Sequence, residues 1–544
     1  MSEMLERLAR GFEPPELVPR SRSEAQIPPL LKKTQMRVWI IIKLMKTKIP
    51  SEIENIARVL ADAGFEAYLV GGCLRDMLLG VAPKDWDIAT NATPEETQKL
   101  FITYGGRTKE DPATVYENNF GTVGIKTPSE DATLKIVEVT TFRIESAYSD
   151  KRHPDEVKFA KTIEEDLSRR DFTVNAMAFN LSNKTLTKSH LVDPFKGIED
   201  LQNKALRTVG DPHARFTEDA LRLMRAVRFS AQLGFKLEHK TRESVMANAG
   251  LLESIAKERI RDELMKLVMT PRAAEGIIEM EDLGLMKYVI PELREGLGCG
   301  QNKHHIYTVF DHNVRALNYA VEKEYSLVVR LSSLLHDVGK PRTKGGDGPD
   351  STFHNHEVVG AKMTLKIMDR LKFPKDIAER VTHLVRCHLF YYNVGEVTEA
   401  GVRRFLSRVG PENVDDLLKV READRIGSGV PKAFPYKLRH LLFMIEKVKN
   451  DPISPKMLKL NGNELMELLQ IKPSRKIGYI LAILLDDVIA DPQKNEKEYL
   501  SRRAIELNLL DDGELIAMSD KAREQKEEFE SGVEEEMKKK FKVQ

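Results

Sequence analysis

Apolar residues in this chain change rhythm near residue 190. Before that point two patterns alternate. Ile53, Ile56, Val59, Leu60 and Ala63 recur at helical spacing behind Ser51-x-x-Glu54, a capping-box pattern, and Gly64 is placed to end the helix. "FEAYLV" reads as a strand running into Gly71-Gly72, "CLRDMLLG" as a short helix closed by Gly80, "DWDIAT" as a strand and "TPEETQKLF" as a helix. "GTVGIKT" and "LKIVEVTTFR" carry the continuous or alternating apolar residues of strands. "IESAYSDKRHPDEV" reads as a polar loop, and "TIEEDLSRRDFTVNAMAFN" as helical. A small sheet with covering helices predicts an α+β domain over 50–190.

Beyond it the helical period runs almost unbroken, at "EDALRLMRAVRFSAQLG", "KERIRDELMKLVM", "SLVVRLSSLLHDVG" and "DDLLKVREADRIG". Gly-rich loops at "EGLGCGQNKHH" and "KGGDGPDST" break the helical pattern, and the expected regions are 191–285, 290–430 and 440–544. The last ends in a charged helix or tail with "EEEMKKK". Residues 1–49 have no period and are rich in proline and charge, so they read as a disordered or artefactual extension. "MKTKIPSEIENIARVL" looks like a natural start, and a basic RNA-binding arm is the alternative. "VWIII", from Val38 to Ile42, is too short to span a bilayer.

Composition narrows the class. The 544 residues are 41% apolar and 31% charged, which suits a soluble globular protein. A net charge of +1 draws in no nucleic acid by itself, so any such contact needs local basic patches. Residues 201–275 hold 14 Lys and Arg against 10 Asp and Glu, a modest excess of 4. Cys73, Cys299 and Cys387 show no C-x-x-C spacing, so neither a disulfide framework nor a zinc ribbon is indicated, and a reducing cytoplasm fits.

Candidate chemistry clusters in two places. Gly71-Gly72 at a strand end leaves backbone N–H groups open to a phosphate, and Arg75 in the following turn can aim a guanidinium at the same anion. Asp85 and Asp87, one residue apart on a strand, face one side, and two carboxylates on one face suit Mg²⁺. Glu138, on a neighbouring expected strand, can add a third oxygen. Together these are the parts for metal-assisted displacement at phosphorus. Further on, Asp219 offers acceptors and Arg222 a planar donor fork, a pair able to imitate a base-pairing edge. The helical spacing carries Arg225 and Arg228 round toward phosphate or RNA. The second cluster is "LLHDVGKP" with His336 and Asp337, plus His312, His356, His388 and Asp424 on other predicted helices. Side chains of these types can converge on one or two divalent metals. His354 competes with His356 for its place.

"LVGGCLRDMLLG…KDWDIAT", "RRDFTVNAMAFN", "DPFKGIEDLQNKALRTV" and "FTEDALRLMRAVRFS" resemble, in order, the motifs of class II CCA-adding tRNA nucleotidyltransferases and the related bacterial poly(A) polymerases. The resemblance implies a small mixed-sheet nucleotidyltransferase head and an all-α neck that holds nucleotide and tRNA. It also implies addition or repair of the 3′-terminal CCA of tRNA from CTP and ATP. By that resemblance Gly72 and Arg75 contact the triphosphate, Asp85 and Asp87 hold the catalytic metals, and Arg170 reaches the nucleotide. Asp219 and Arg222 pair with the incoming base, and Arg225 and Arg228 contact nucleotide or phosphate. The loop Ile144–Pro154 resembles the one that lets the family change from C to A. "HDVGK" resembles the HD phosphohydrolase superfamily, which implies phosphomonoesterase or 2′,3′-cyclic phosphodiesterase work on RNA ends with an unidentified divalent metal. "LKLNGNELMELLQIKPSRKIGYILAILLDDVIADPQKNEKEYL" resembles the family's C-terminal RNA-binding segment, except that Ser474-Arg475 replaces a Gly-Pro. Rival readings are a CC-adding or A-adding enzyme, a poly(A) polymerase, which lacks support because no "GRRF"-like signature follows "GTVGI", and an RNA-binding HD protein with an idle head. No membrane partner is expected.

Overall fold

The computed structural model describes residues 49–107, 113–117, 121–145, 157–181, 191–302, 306–390, 392–394, 397–430 and 436–522. The extension 1–48, most of the loop 144–154 and the tail beyond 522 lie outside them. The chain divides into two compact units, one formed by residues up to 142 with 177–192, the other by 143–176 with 193 onward.

The first unit is built on a seven-stranded sheet. The helix Ser51–Asp62 buries Ile53, Ile56, Ala57 and Leu60. Its start differs from the expected capping box: Ser51 is already helical, Pro50 precedes it, and Ser51 Oγ bonds Glu52 instead. Its end follows expectation. Gly64 takes a φ of 87°, and the Phe65 N–H reaches back to the Leu60 carbonyl at 2.9 Å. β1 (Ala67–Val70) is buried throughout, and the helix Gly71–Leu79 starts directly from it and closes at left-handed Gly80. β2 is Asp87–Thr90. Thr93 and Glu96 form a full capping box at the head of Pro94–Phe101. β3 (Thr114–Glu117), β4 (Thr122–Lys126) and β5 (Ile136–Thr141) follow.

β6 (Arg143–Glu145) and β7 (Val157–Phe159) pair with each other and belong to the second unit. β8 (Ala178–Asn180) and β9 (Leu191–Val192) return to the first sheet, whose order is β3-β4-β5-β2-β1-β8-β9. Only β2 and β5 run parallel within it. The expected helix across "TIEEDLSRRDFTVNAMAFN" is therefore three things: a helix Ile163–Ser168, a 3₁₀ turn Thr173–Asn175, and strand β8. The apolar run "VNAMAF" suits a buried strand as well as a helix, and pairing with β1 decides it.

From residue 193 the second unit is largely helical. Five of its helices, Val309–Glu322, Leu327–Leu335, His356–Arg370, Lys375–Cys387 and Val414–Gly427, carry or border the second cluster. Two glycines let these helices approach. A Cβ on Gly339 would stand 2.2 Å from the His356 carbonyl oxygen, and one on Gly427 would stand 2.9 Å from that of His312. Near the C-terminus, Leu458, Leu465, Ile480, Leu484, Leu500 and Leu507 form a separate apolar core. Cys73, Cys299 and Cys387 are free thiols.

Candidate functional site

In the first unit the turn from β1 into its helix carries the first group. Gly71 has a φ of 72°, a backbone that a side chain would strain. A Cβ on Gly72 would lie 3.6 Å from Arg75 Nη2, so the bare backbone and the guanidinium occupy adjoining space. Arg75 is buried and held by Asp76 at 2.7 Å. Asp87 opens β2, and Asp85 stands two residues ahead of the strand rather than on it. The expected alternation nevertheless holds: Trp86 between them is buried while Asp85 is exposed. Asp87 is the direct cross-strand partner of Glu138 in the parallel pair, and the Glu138 N–H bonds the Trp86 carbonyl at 3.1 Å. Aligned residues of paired strands point to one face, so Asp87 and Glu138 share it, and Asp85 lies just ahead of the strand. Two cross-strand carboxylates beside an arginine-backed turn are oxygen donors of the kind a hard divalent cation takes.

The second unit contains the arginine-rich motifs. Asp166 is buried, its Oδ1 accepting from Arg169 at 2.7 Å and its Oδ2 from Arg170 at 3.0 Å. Asp171 accepts from the Phe172 N–H, from Asn175 and from Arg225 at 2.6 Å. Burial would raise its carboxyl, but the Arg225 charge and hydrogen bonds prevail and hold it down at about 2. Asp219 corrects the helical expectation. Its backbone is extended, between the helices Pro212–Glu218 and Leu221–Leu233, and its Oδ1 accepts from the Leu221 N–H. Its carboxylate also receives both terminal nitrogens of Arg259, at 3.2 and 2.9 Å. Arg222 bonds Glu218 at 2.7 Å and the Arg169 carbonyl at 3.2 Å. Arg228 is engaged inside the protein: it is buried, bonds Glu263 at 2.6 Å and lies 3.9 Å over the Phe229 ring.

The six residues of the second cluster meet in one place. His312, His336, Asp337 and Asp424 bring one ligand atom each within 4.8 Å of one another, and Asp337, His356 and His388 do the same. Asp337 belongs to both sets. Its Oδ2 lies 3.1 Å from His312 Nε2 and 3.4 Å from His336 Nε2, while its Oδ1 lies 3.4 Å from His356 Nε2 and 3.5 Å from His388 Nε2. His356 takes the place for which His354 competed.

Helix ends create this convergence. His336 and His388 each cap the C-terminus of a helix and reach back to the carbonyls of Ser333 and Val385, at 2.8 and 2.7 Å. A C-terminal turn leaves such carbonyls without a helical partner. Nδ1–H donation there turns each Nε2 inward, the orientation metal-ligating histidines use. His356 does likewise through the Phe353 carbonyl at 2.7 Å. Burial brings His356 down to about 3 and keeps it neutral. For His336 burial acts in the same sense, but Asp337 and Asp424 override it and raise the ring to about 10. A buried nest of carboxylates and imidazoles of this kind calls for positive charge, and a divalent cation fits it.

Sequence reasoning missed Lys340, whose Nζ lies 2.6 Å from Asp337 Oδ2 and 2.7 Å from Gln301 Oε1. Its position three residues after Asp337 was the available signal. It also missed Arg259 and Glu263, the partners of Asp219 and Arg228, because nothing local links positions 40 and 35 residues apart.

A glycine turn beside cross-strand carboxylates in a small mixed sheet is the arrangement of a nucleotidyltransferase head, and the matched families agree. Residues 67–207 match the poly A polymerase head domain, 234–297 the probable RNA and SrmB-binding site of polymerase A, and 309–427 the HD domain. The chain is 35% identical over 434 residues to an A-adding tRNA nucleotidyltransferase of Deinococcus radiodurans, covering 77% of this chain and 91% of that protein. It is 31% identical to a CCA-adding enzyme of Enterococcus faecalis, covering 84% and 96%. The crystal structure of the Bacillus stearothermophilus CCA-adding enzyme in complex with CTP superposes with a TM-score of 0.59 at 26% identity, covering 85% of this chain and 98% of that one. The chain belongs to the tRNA nucleotidyltransferase family, the group of the CCA-adding and A-adding enzymes.

Proposed function

We propose that the protein adds or repairs the 3′-terminal CCA of tRNA from CTP and ATP without a nucleic-acid template, in the cytoplasm. The observation that carries this reading is the cross-strand alignment of Asp87 with Glu138 beside the Gly71-Gly72 turn, in a chain that spans nearly the whole length of tRNA nucleotidyltransferases. In the first unit, Asp85, Asp87 and Glu138 hold Mg²⁺, while the Gly72 backbone and Arg75 bind the triphosphate. Bound Mg²⁺ supplies charge that stabilises the departing pyrophosphate. In the second unit, Asp219 and Arg222 select the base, Arg259 and Glu218 fix their orientation, and Arg170 binds nucleotide. Arg225 and Arg228, with their partners Asp171 and Glu263, shape the helix that presents Arg222.

The second cluster is a metal-dependent phosphohydrolase for RNA ends. His312, His336, Asp337, His356, His388 and Asp424 hold the metal, which supplies Lewis acidity at phosphorus. Lys340 keeps Asp337 ionised and oriented.

A second reading, addition of the terminal A alone, is favoured by the A-adding relative in Deinococcus radiodurans. Purified protein is incubated with tRNA ending at the discriminator base, or at CC, with CTP and ATP singly and together. Three added nucleotides on the first tRNA support CCA addition. Extension of only the CC-ended tRNA selects A addition, and a long A tail selects a poly(A) polymerase. Asp87→Asn is expected to lower addition at least about 10²-fold while the melting temperature stays within about 2 °C. Undiminished addition removes the head assignment.

A further inference from the structure

The helix Tyr436–Val448 is amphipathic in an unusual sense. One side buries Leu438, Leu441 and Val448. The other side is not simply polar. Tyr436, His440, Phe443 and Lys447 succeed one another at steps of four, three and four residues and so share one face. Tyr436 is 60% exposed and Phe443 63%, so two large rings on one face stand open together. Their rings form a row through His440, with centroids 5.9 and 6.0 Å apart. Arg439 lies 5.9 Å over the Tyr436 ring and Lys437 bonds Asn393, so two cations border the row, while Lys447 at its far end is paired with Glu399.

The row extends to the segment that follows the metal ligand His388 in the chain. The His440 ring lies 5.9 Å from that of Tyr392, tilted by 38°, with the Tyr392 hydroxyl bonded to its Nδ1, and Tyr392 follows His388 by four residues. Leu389, beside that ligand, and Val394 are also exposed. Phe390 lies 5.8 Å from the Arg421 guanidinium, and Arg421 bonds Asp424 at 2.5 Å.

We propose that this face is a stacking platform for single-stranded RNA, which delivers an unpaired RNA end to the HD cluster. Flat exposed rings bordered by cations match a chain that offers bases and phosphates together, and stacking tolerates any base. A folded protein partner would need a polar rim matched to its own surface, whereas the cations here are complementary to a polyanion. The proposal rests on the phosphohydrolase reading for the delivery step, and on the row itself for binding.

The test uses the full chain and a fluorescein-labelled 12-nucleotide single-stranded RNA, read by anisotropy, with a 12-base-pair RNA duplex alongside. Tyr436→Ala/Phe443→Ala is expected to weaken single-strand binding at least about tenfold. Tyr436→Trp/Phe443→Trp, which keeps both faces, is expected to restore it, and this separates lost stacking from lost folding. Affinity for the single strand within twofold of wild type in the alanine variant overturns the proposal. So does an equal loss on the duplex, or a change in sedimentation mass without a change in RNA affinity, which would assign the face to a second copy of the chain. Hydrolysis of bis(p-nitrophenyl) phosphate by wild-type protein with Mn²⁺ checks the phosphohydrolase reading separately. If it is absent while the anisotropy result holds, the platform stands and delivery to the cluster falls.

Discussion

Between Asp166 and Arg225 the chain buries three aspartates, Asp166, Asp171 and Asp200, and each is answered by arginine. Asp171 shows the energetic logic. Its carboxyl is held near 2 by Arg225, against a usual value of 3.8. A carboxylate depressed in the folded state stabilises the protein above its ordinary value, and that stabilisation is lost as pH falls through the folded one. Asp171→Asn is therefore expected to destabilise the protein by about 3 kcal/mol at pH 7, the low end for a broken buried pair because Arg225 keeps some exposure. Urea melts at several pH values should show the gap between wild type and variant narrowing below about pH 4. A gap that widens on acidification would mean the pair does not form. Of the positions named from sequence, the strand containing Asp87 and the one containing Glu138 were legible from their apolar runs, while Asp85 falls just ahead of its strand. Asp219 was less so: its charge and spacing suited the helix Leu221–Leu233, yet it stands outside as a side-chain acceptor for the first turn.

At the level of elements, local signals read well and long-range pairing did not. The helix Gly71–Leu79 with Gly80 behind it, and Pro94–Phe101 with its capping Thr93, follow from neighbouring residues. The position of β8 beside β1 does not, since it depends on pairing across more than 100 residues, and the same apolar run satisfies a helical period. The HD cluster lies between these extremes. Its ligand types were visible, while their convergence depends on helices that approach through glycine. Gly339→Ala is expected to push the Leu327–Leu335 end away from His356, because backbone atoms 2.2 and 2.5 Å from the new methyl cannot yield as a flexible side chain would. Calorimetry should show a loss of about 1–3 kcal/mol in stability, and metal titration a weaker site. Unchanged metal affinity would show that the close approach is dispensable.

For the whole molecule, the two candidate metal sites differ in donor chemistry. Aligned carboxylates in the first unit favour a hard ion such as Mg²⁺, while four imidazoles and two carboxylates in the second favour transition metals. After chelation and desalting, Mg²⁺ alone is expected to restore nucleotide addition. Phosphodiester hydrolysis is expected to need Mn²⁺, Co²⁺ or Ni²⁺. Parallel assays of both reactions across one metal series check this, and a single ion preference shared by both would contradict separate sites. Among the described residues no helix is long and apolar enough to cross a membrane.

The chain passes from the first unit to the second at residue 142, back at 177 and out again at 193. A chimera that trades heads with a relative must therefore be spliced at three junctions. A fragment stopped at 142 would leave β1 with a bare edge where β8 should lie, open to pairing with other copies. The same threading resists loss of the head by shearing, since one backbone break cannot set either body free while the remaining strands hold.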